Sequence, residues 1–474
     1  MKNILKYTLI GALLIGFTSC SNEFLDEPVP TGSVSDKVTY TTESGVDAAL
    51  TGMFAVLRDY RASHDTWGGK AYYLGADVMG TDLMVPGFNW YIFEHRWDVT
   101  ENSNGRRANW AWELFYSVAN ISRTHVIGVT SSTLPEDKKK AYISELKAVE
   151  AYCYFNLVRY YSGSYLLGDS KPGIPLYTAT INSDVKPTGR GTIKETYDRI
   201  ITQLEEAVPN MSNSLSKYRF NKSVAEGLLA RVYLEVGNWA KAAEYAAKAK
   251  RGYTLMDTKT YTQGFNTINN DEWMWALPFN ASQQPGAPRF FSFIDHNTSG
   301  YNDIYVSKDF QALFTSDTDI RKSLIVSTGS TNSTTSFVTE KFRDLADRSG
   351  DLVFMRASEM YLIEAEAKAE MNDLPGAKNV LLELLKSRDT AAALSSAATK
   401  EALVDEILIE RRKELYGELG VSWFDLKRRN QAISRKGEAH RWPVEFEAGN
   451  ARWNFKIPQA EIDKNPNISE ADQN

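Results

Sequence analysis

Residues 222–250 limit the fold more than any other stretch of this chain. Leu229, Ala230 and Tyr233 lie within one helical turn, and Ala242, Ala246 and Ala249 follow after Gly237-Asn238. This spacing predicts two helices joined by a tight turn. Small side chains at Ala230 and Ala242 let the two backbones approach closely. Residues 355–386 repeat the plan more loosely, with Ala365 and Ala377 as the small pair and Asn372 to Gly376 as the turn. Helical pairs of this kind grow by stacking, so a length of 474 residues does not translate into several separate domains.

The pattern matches the large, small and aromatic positions of a tetratricopeptide unit. Residues 136–161 and 192–208 form another predicted pair, the second opening on a capping box of Thr192 and Glu195. A weaker pair is expected near the N-terminus, from residues 43–60 and 105–128. Val46, Leu50, Met53, Phe54 and Leu57 mark one face of the first helix. A last helix is predicted over 400–419. The expected fold is therefore mainly α: a tetratricopeptide-like scaffold of helical pairs with long loop-rich inserts and a few short strands. The scaffold is assigned to about 43–60, 105–250 and 355–430, and the inserts to about 61–104 and 251–350. Irregular stretches this long are uncommon and tend to be functional. Within them, DEWMWALPFN and WDVT read as strands, Trp273 and Trp275 as core, and STGSTNSTTS as a mobile loop. The charge runs EDKKK and ERRKE read as solvated helix ends, with Arg411 and Arg412 alternatively pairing with helix acids.

The first twenty residues, MKNILKYTLIGALLIGFTSC, carry Lys2 and Lys6, then an apolar run, then small polar residues before Cys20. The run is too short for a stable span and has the form of a cleaved secretory signal. Residues 1–19 are expected to be the signal and residues 20–474 one domain, with Cys20 either a lipidated new N-terminus or a chance cysteine. Residues 21–41 read as a polar tether. Cys153 is the remaining cysteine and sits in an aromatic helical run, so it is expected to be buried and unbridged. The net charge is −6 with no basic block, which argues against a nucleic-acid partner.

No GxSxG, HExxH, CxxC or GxxxxGK[ST] pattern is present, and none of the 5 His residues pair at helical spacing. The expectation is no enzyme, no cofactor and no metal. Non-catalytic sugar binding makes another demand: flat rings for the C–H face of a pyranose and polar groups for its hydroxyl rim. The 11 Trp and 24 Tyr leave rings available for both packing and platforms. Loops on a rigid scaffold are where such sites form. The ligand-binding candidates are Trp67, Asp77, Asp82, Asn89, Trp90 and Tyr91 in the first insert, and Arg289, Phe291 and Tyr301 in the second. Trp90, in the turn-like PGFNWY, is the leading platform. Trp67 stands between platform and packing, Asp77 and Asp82 between ligand contact and backbone ties, and Trp97 and Trp423 read as structural.

The chain resembles the SusD/RagB family of outer-membrane nutrient-binding lipoproteins. The resemblance rests on Cys20 followed by Phe24-Leu25-Asp26, on KAVEAYCYFNLVRYYSG with the Pro-rich loop after it, and on AEGLLARVYLEVGNWAKAAEYA. It extends through DEWMWALPF and MRASEMYLIEAEAKA to ERRKELYGELGVSWFDLKRRN and IPQAEIDKNPN. Acidic Glu23, Asp26 and Glu27 after the cysteine look like surface-export signals of Bacteroidetes lipoproteins. The resemblance implies a lipid-anchored protein on the outer face of the cell outer membrane. It also implies a partner, a TonB-dependent transporter of SusC type, and an oligosaccharide ligand that is held without being cut. A peptide-capturing relative and a tetratricopeptide-type interaction scaffold are the alternatives.

Overall fold

The structure, a computed structural model, describes residues 39–180, 185–280, 282, 289–436 and 440–474. Cys20, the signal and the tether up to residue 38 lie outside the described residues. Helix α1 (Glu43–Asp59) begins where the Thr42 side chain accepts from the Gly45 amide, satisfying one of the orphan donors of a helix start. Its buried face is the predicted one: Val46, Leu50, Met53, Phe54 and Leu57.

The next segment departs from the sequence reading. Residues 61–104 are not irregular throughout, because Gly68–Met79 forms helix α2 and every residue in it is buried. Its three glycines, Gly68, Gly69 and Gly75, read as breakers in the sequence and hide it. WDVT is not a strand either. Asp98–Thr100 makes a single 3-10 turn, and Trp97 before it has left-handed backbone, φ 63°.

The scaffold continues with α3 (Arg106–Thr130), α4 (Glu136–Tyr161), α5 (Ile193–Ala207), α6 (Lys222–Glu235) and α7 (Trp239–Ala249). Each packs against its successor, α5 and α6 the least extensively. The Thr192–Glu195 capping box is present at α5. In the repeat that anchors the sequence reading, Ala230 and Ala242 are fully buried, and Gly237 makes the turn at φ 73°, a region that favours glycine. Chain order is then interrupted. Helix α7 packs on α8 (Ala357–Glu370), which is followed by α9 (Leu374–Leu385), α10 (Lys400–Leu415) and α11 (Val421–Arg428). Helix α11 returns against the buried α2.

The insert between α7 and α8 is closed at both ends by one ribbon. Strand Trp273–Leu277 pairs antiparallel with Leu352–Arg356, and Trp273 and Trp275 are buried, as expected of core residues. A second sheet joins the two predicted inserts: Leu83–Met84 pairs with Tyr305–Val306, which pairs with Phe337–Thr339, which pairs with Ile325–Ser327. The Ser/Thr-rich run connects the last two strands as a hairpin. Cys153 is buried and unbridged, and burial pushes its thiol well up.

The ERRKE run overturns its reading as a solvated end. Glu410, Arg411, Lys413 and Glu414 of α10 are buried. Glu414 meets Arg356 at 2.6 Å, Arg388 at 2.9 Å and Arg321 at 3.3 Å. Glu272 also receives Arg356 at 2.6 Å and Arg388 at 2.7 Å, and Glu418 receives Arg356 at 2.8 Å and Lys341 at 2.6 Å. Glu272, Arg321 and Lys341 come from the insert, the others from the scaffold. Buried ions lose much solvation, and only dense mutual pairing offsets that loss. The network therefore seats the insert on the helices in one register.

Burial alone would raise the carboxyls of Glu414 and Glu418. Arg388, Arg356 and Arg321 overcome it at Glu414, which is held well below the usual range. Arg356 and Lys341 bring Glu418 down to about 2. A depressed folded-state value contributes stability above the unfolded value, 4.5, and that stability is lost as pH falls toward 2. Each such group contributes up to about 1.4 kcal/mol per pH unit in that window. The urea midpoint is expected to fall steeply between pH 4.5 and 2, and a midpoint constant over that range would contradict the network.

Candidate functional site

The sheet that joins the two inserts also brings their rings together. The turn of residues 86–91 projects from it. The Asn89 side chain accepts from the Trp90 amide at 2.9 Å, a local turn contact that fixes the backbone under the indole. Opposite, Tyr301 is pinned by its amide to the Ser292 carbonyl at 2.7 Å. Its ring stacks on buried Phe293 with centroids 4.8 Å apart, and Phe293 in turn meets Tyr91 at 5.0 Å. The half-buried rings thus rest on fully buried ones, which holds them stiff.

Three rings converge. His64 and Trp90 lie 4.6 Å apart, Trp90 and Tyr301 5.9 Å, and His64 and Tyr301 5.8 Å. His64 Nδ1 and the Tyr301 hydroxyl share a hydrogen bond. On the other side of the same turn, Phe88, which is 76% exposed, meets Trp442 at 5.6 Å. Guanidinium groups lie over these rings: Arg106 over Trp90 at 5.7 Å, and Arg96 over Trp442 at 5.4 Å. An exposed phenylalanine beside two half-buried tryptophans is a patch of the kind that marks interaction sites.

The remaining candidates occupy different positions. Trp67 is half-buried under the Arg61 guanidinium, 4.8 Å from its ring. Asp77 is 1% exposed and accepts from the Gly420 amide at 3.0 Å. Gly420 has φ 69°, and a Cβ there would collide with Ala76, so this close approach needs glycine. Burial, stronger than that amide and Lys70, pushes the Asp77 carboxyl up to about 8. Asp82, which lies outside the helices, is 1% exposed and accepts from Arg412 Nε at 3.0 Å, whereas Arg411 pairs with the helix acid Asp425 at 2.9 Å. Tyr91 and Phe291 are fully buried, and Arg289 is 3% exposed and ion-paired with Asp344. These five side chains spend their contacts inside the protein and brace the loops from below. Trp97 and Trp423 are fully buried, in line with their reading as structural.

His64, Phe88, Arg106 and Trp442 join the site without having been singled out. Phe88 was within reach, two residues before Trp90 in the same turn. His64 and Trp442 carry no local signal. Beside the rings, a cavity of about 280 Å³ is lined by Asp65, Phe93, Glu94, Asn102, Arg106 and Arg107 among others. Asp303, beneath Trp90, is 6% exposed. Burial, with Asp65 adding to it, pushes its carboxyl up to about 7. A wider opening of about 580 Å³ between α10 and α11 has no aromatic ring in its lining. Among the described residues, no group of three or more His, Cys, Asp or Glu side chains is arranged to hold a metal ion, and no helix is long and apolar enough to cross a membrane.

Residues 23–234 match the family model described as "Starch-binding associating with outer membrane", and residues 237–474 match that of the SusD family. The chain belongs to the SusD/RagB family. A SusD-like protein of Bacteroides ovatus is 26% identical over 238 residues, which are 49% of this chain and 40% of that one. A SusD-like protein of Formosa agariphila is 22% identical over 94% of this chain and 96% of its own length. Another from the same organism is matched over 52% of its length, so the chain spans about half the length or less of the Bacteroides ovatus relative and of this one. A SusD-like carbohydrate-binding protein of Bacteroides vulgatus superposes with a TM-score of 0.82, at 25% identity, over 90% of this chain and 97% of that one. A laminarin-binding SusD-like protein shares the fold with a TM-score of 0.72 at 18% identity, over 92% of this chain and 99% of that one. The helical-pair architecture is thus that of the SusD family. Its ring-bearing turn is made from the family scaffold's connections rather than from its helices.

Proposed function

We propose that this SusD-family chain captures an oligosaccharide on the shelf formed by Trp90, Tyr301 and His64 and holds it without cutting it. The observation that carries the reading is the cluster of exposed His64 with half-buried Trp90 and Tyr301, brought together from three segments and stiffened by buried rings below. A pyranose lays its C–H face on such rings, while Asn89, His64 and the arginines above them supply donors and acceptors for its hydroxyls. The family description as starch-binding and the carbohydrate-binding relative support a sugar as the ligand. The nearest acids, Asp65 and Asp303, are 1% and 6% exposed. A glycosidase needs two carboxyl groups flanking the bond it breaks, and these two are buried. The chain is further proposed to sit on the outer membrane through lipid on Cys20 and to hand its ligand to a TonB-dependent transporter of SusC type. The family description as associating with the outer membrane supports this placement.

Calorimetry with matched panels of oligosaccharides and peptides, followed by chromatography of the incubated ligands, tests the reading. The expected result is saturable binding of at least one oligosaccharide with its chain length unchanged. Shortened products, or binding of peptides alone, would overturn it. Co-purification of the full chain with a β-barrel membrane protein checks the delivery step.

A further inference from the structure

We infer that the glycan taken at this shelf carries acidic groups, carboxylate or sulfate; the inference rests on the capture reading above. Four guanidinium groups surround the turn of residues 86–91 and its neighbour. Arg106 lies 5.7 Å from the Trp90 ring, Arg96 5.4 Å and Arg441 4.9 Å from the Trp442 ring, and Arg61 4.8 Å from the Trp67 ring. The Arg61 loop also carries His64 against Trp90, and Arg441 donates to the Pro86 carbonyl at the base of the turn. The four therefore border one surface.

Their partners are few. Arg106 meets buried Asp65 at 2.6 Å and Arg96 meets Asp98 at 3.1 Å. Arg61 and Arg441 have no ion-pair partner among the described residues, and both are exposed. The arginines of the network around Glu414, by contrast, are each ion-paired. The whole chain carries a net charge of −6, so an excess of arginine at one turn does not follow from composition. Arg61 has no side-chain hydrogen-bond partner among the described residues and Arg441 spends one N–H on Pro86, which leaves a guanidinium edge for a ligand. That edge matches a carboxylate or sulfate through two parallel hydrogen bonds, while a neutral sugar makes no use of the charge.

The test compares oligogalacturonate, a sulfated carrageenan oligosaccharide and a neutral laminari-oligosaccharide of matched length by calorimetry. It is run at about 50 mM and about 500 mM NaCl, where screening lengths differ severalfold. At least one acidic arm is expected to bind about tenfold tighter than the neutral one at low salt, and this advantage is expected to shrink severalfold at high salt. The arm that wins identifies the group. In Arg61→Gln/Arg441→Gln the acidic-to-neutral ratio is expected to drop toward one. Because Arg441 also holds Pro86, Arg61→Gln alone serves as the second variant and is expected to lower the ratio in the same direction. Equal or tighter binding of the neutral arm, an advantage indifferent to salt, or a ratio unchanged in both variants would overturn the inference while leaving glycan capture intact. Binding of no glycan in any arm would overturn both.

Discussion

Glu414→Ala is expected to lower the stability of the fold by about 3–5 kcal/mol, the usual penalty for removing one partner of a buried ion pair. Glu414 is fully buried and meets three guanidinium groups, those of Arg356, Arg388 and Arg321. Arg356 keeps Glu272 and Glu418, and Arg388 keeps Glu272. Arg321 keeps Asp319 at 2.8 Å and Glu410 at 2.7 Å. Three positive charges would then share fewer acids in a site that water does not reach. The loss is read as a drop in the urea midpoint. Glu401→Ala, on the same helix with its side chain 74% exposed, is expected to stay within about 0.5 kcal/mol of the parent. A cost below about 1 kcal/mol for Glu414→Ala would mean that the insert is seated by its apolar contacts and that the charges are incidental.

Trp90→Ala is expected to weaken oligosaccharide binding by at least about tenfold while leaving the unfolding midpoint within about 1 kcal/mol of the parent. The indole supplies the largest ring of the shelf, in contact with both His64 and Tyr301. Truncating a half-buried aromatic anchor at the centre of a contact typically forfeits about 2 kcal/mol of binding. The backbone of the turn does not depend on the ring, because the contact that holds it runs from the Trp90 amide to Asn89. Affinity by calorimetry and stability by urea unfolding separate the two effects. Undiminished affinity would move the site off this turn's inner side, to Phe88 and Trp442 or beyond.

How much of this was legible in the sequence follows from the physics of each part. The helical pairs were legible because close backbone contact demands small residues, and Ala230 and Ala242 sit where that contact occurs. The start of α5 was legible because a capping box is a local bargain between Thr192 and Glu195. Helix α2 was not, since Gly68, Gly69 and Gly75 read as breakers of a helix. ERRKE misled for a different reason. A charge run is solvated unless partners arrive from elsewhere, and here they come from Asp82, Asp319, Arg321, Arg356 and Arg388, dispersed along the chain. At the site, Trp90 and Tyr301 could be picked out as ring-bearing loop residues. Their meeting with His64 could not, because His64 and Tyr301 are 237 positions apart. Asp77, Asp82 and Arg289 have the chemistry of sugar ligands, yet that chemistry equally suits a buried pair. Only their exposure separates the two.

A crystal structure of the protein soaked with the oligosaccharide that binds most tightly tests the central claim directly. The account predicts a sugar ring within about 4 Å of the Trp90 indole, lying against the shelf that Trp90 forms with His64 and Tyr301, with every glycosidic bond intact. Density for the sugar in the groove between α10 and α11, or along the helical pairs with Trp90 left bare, would contradict it.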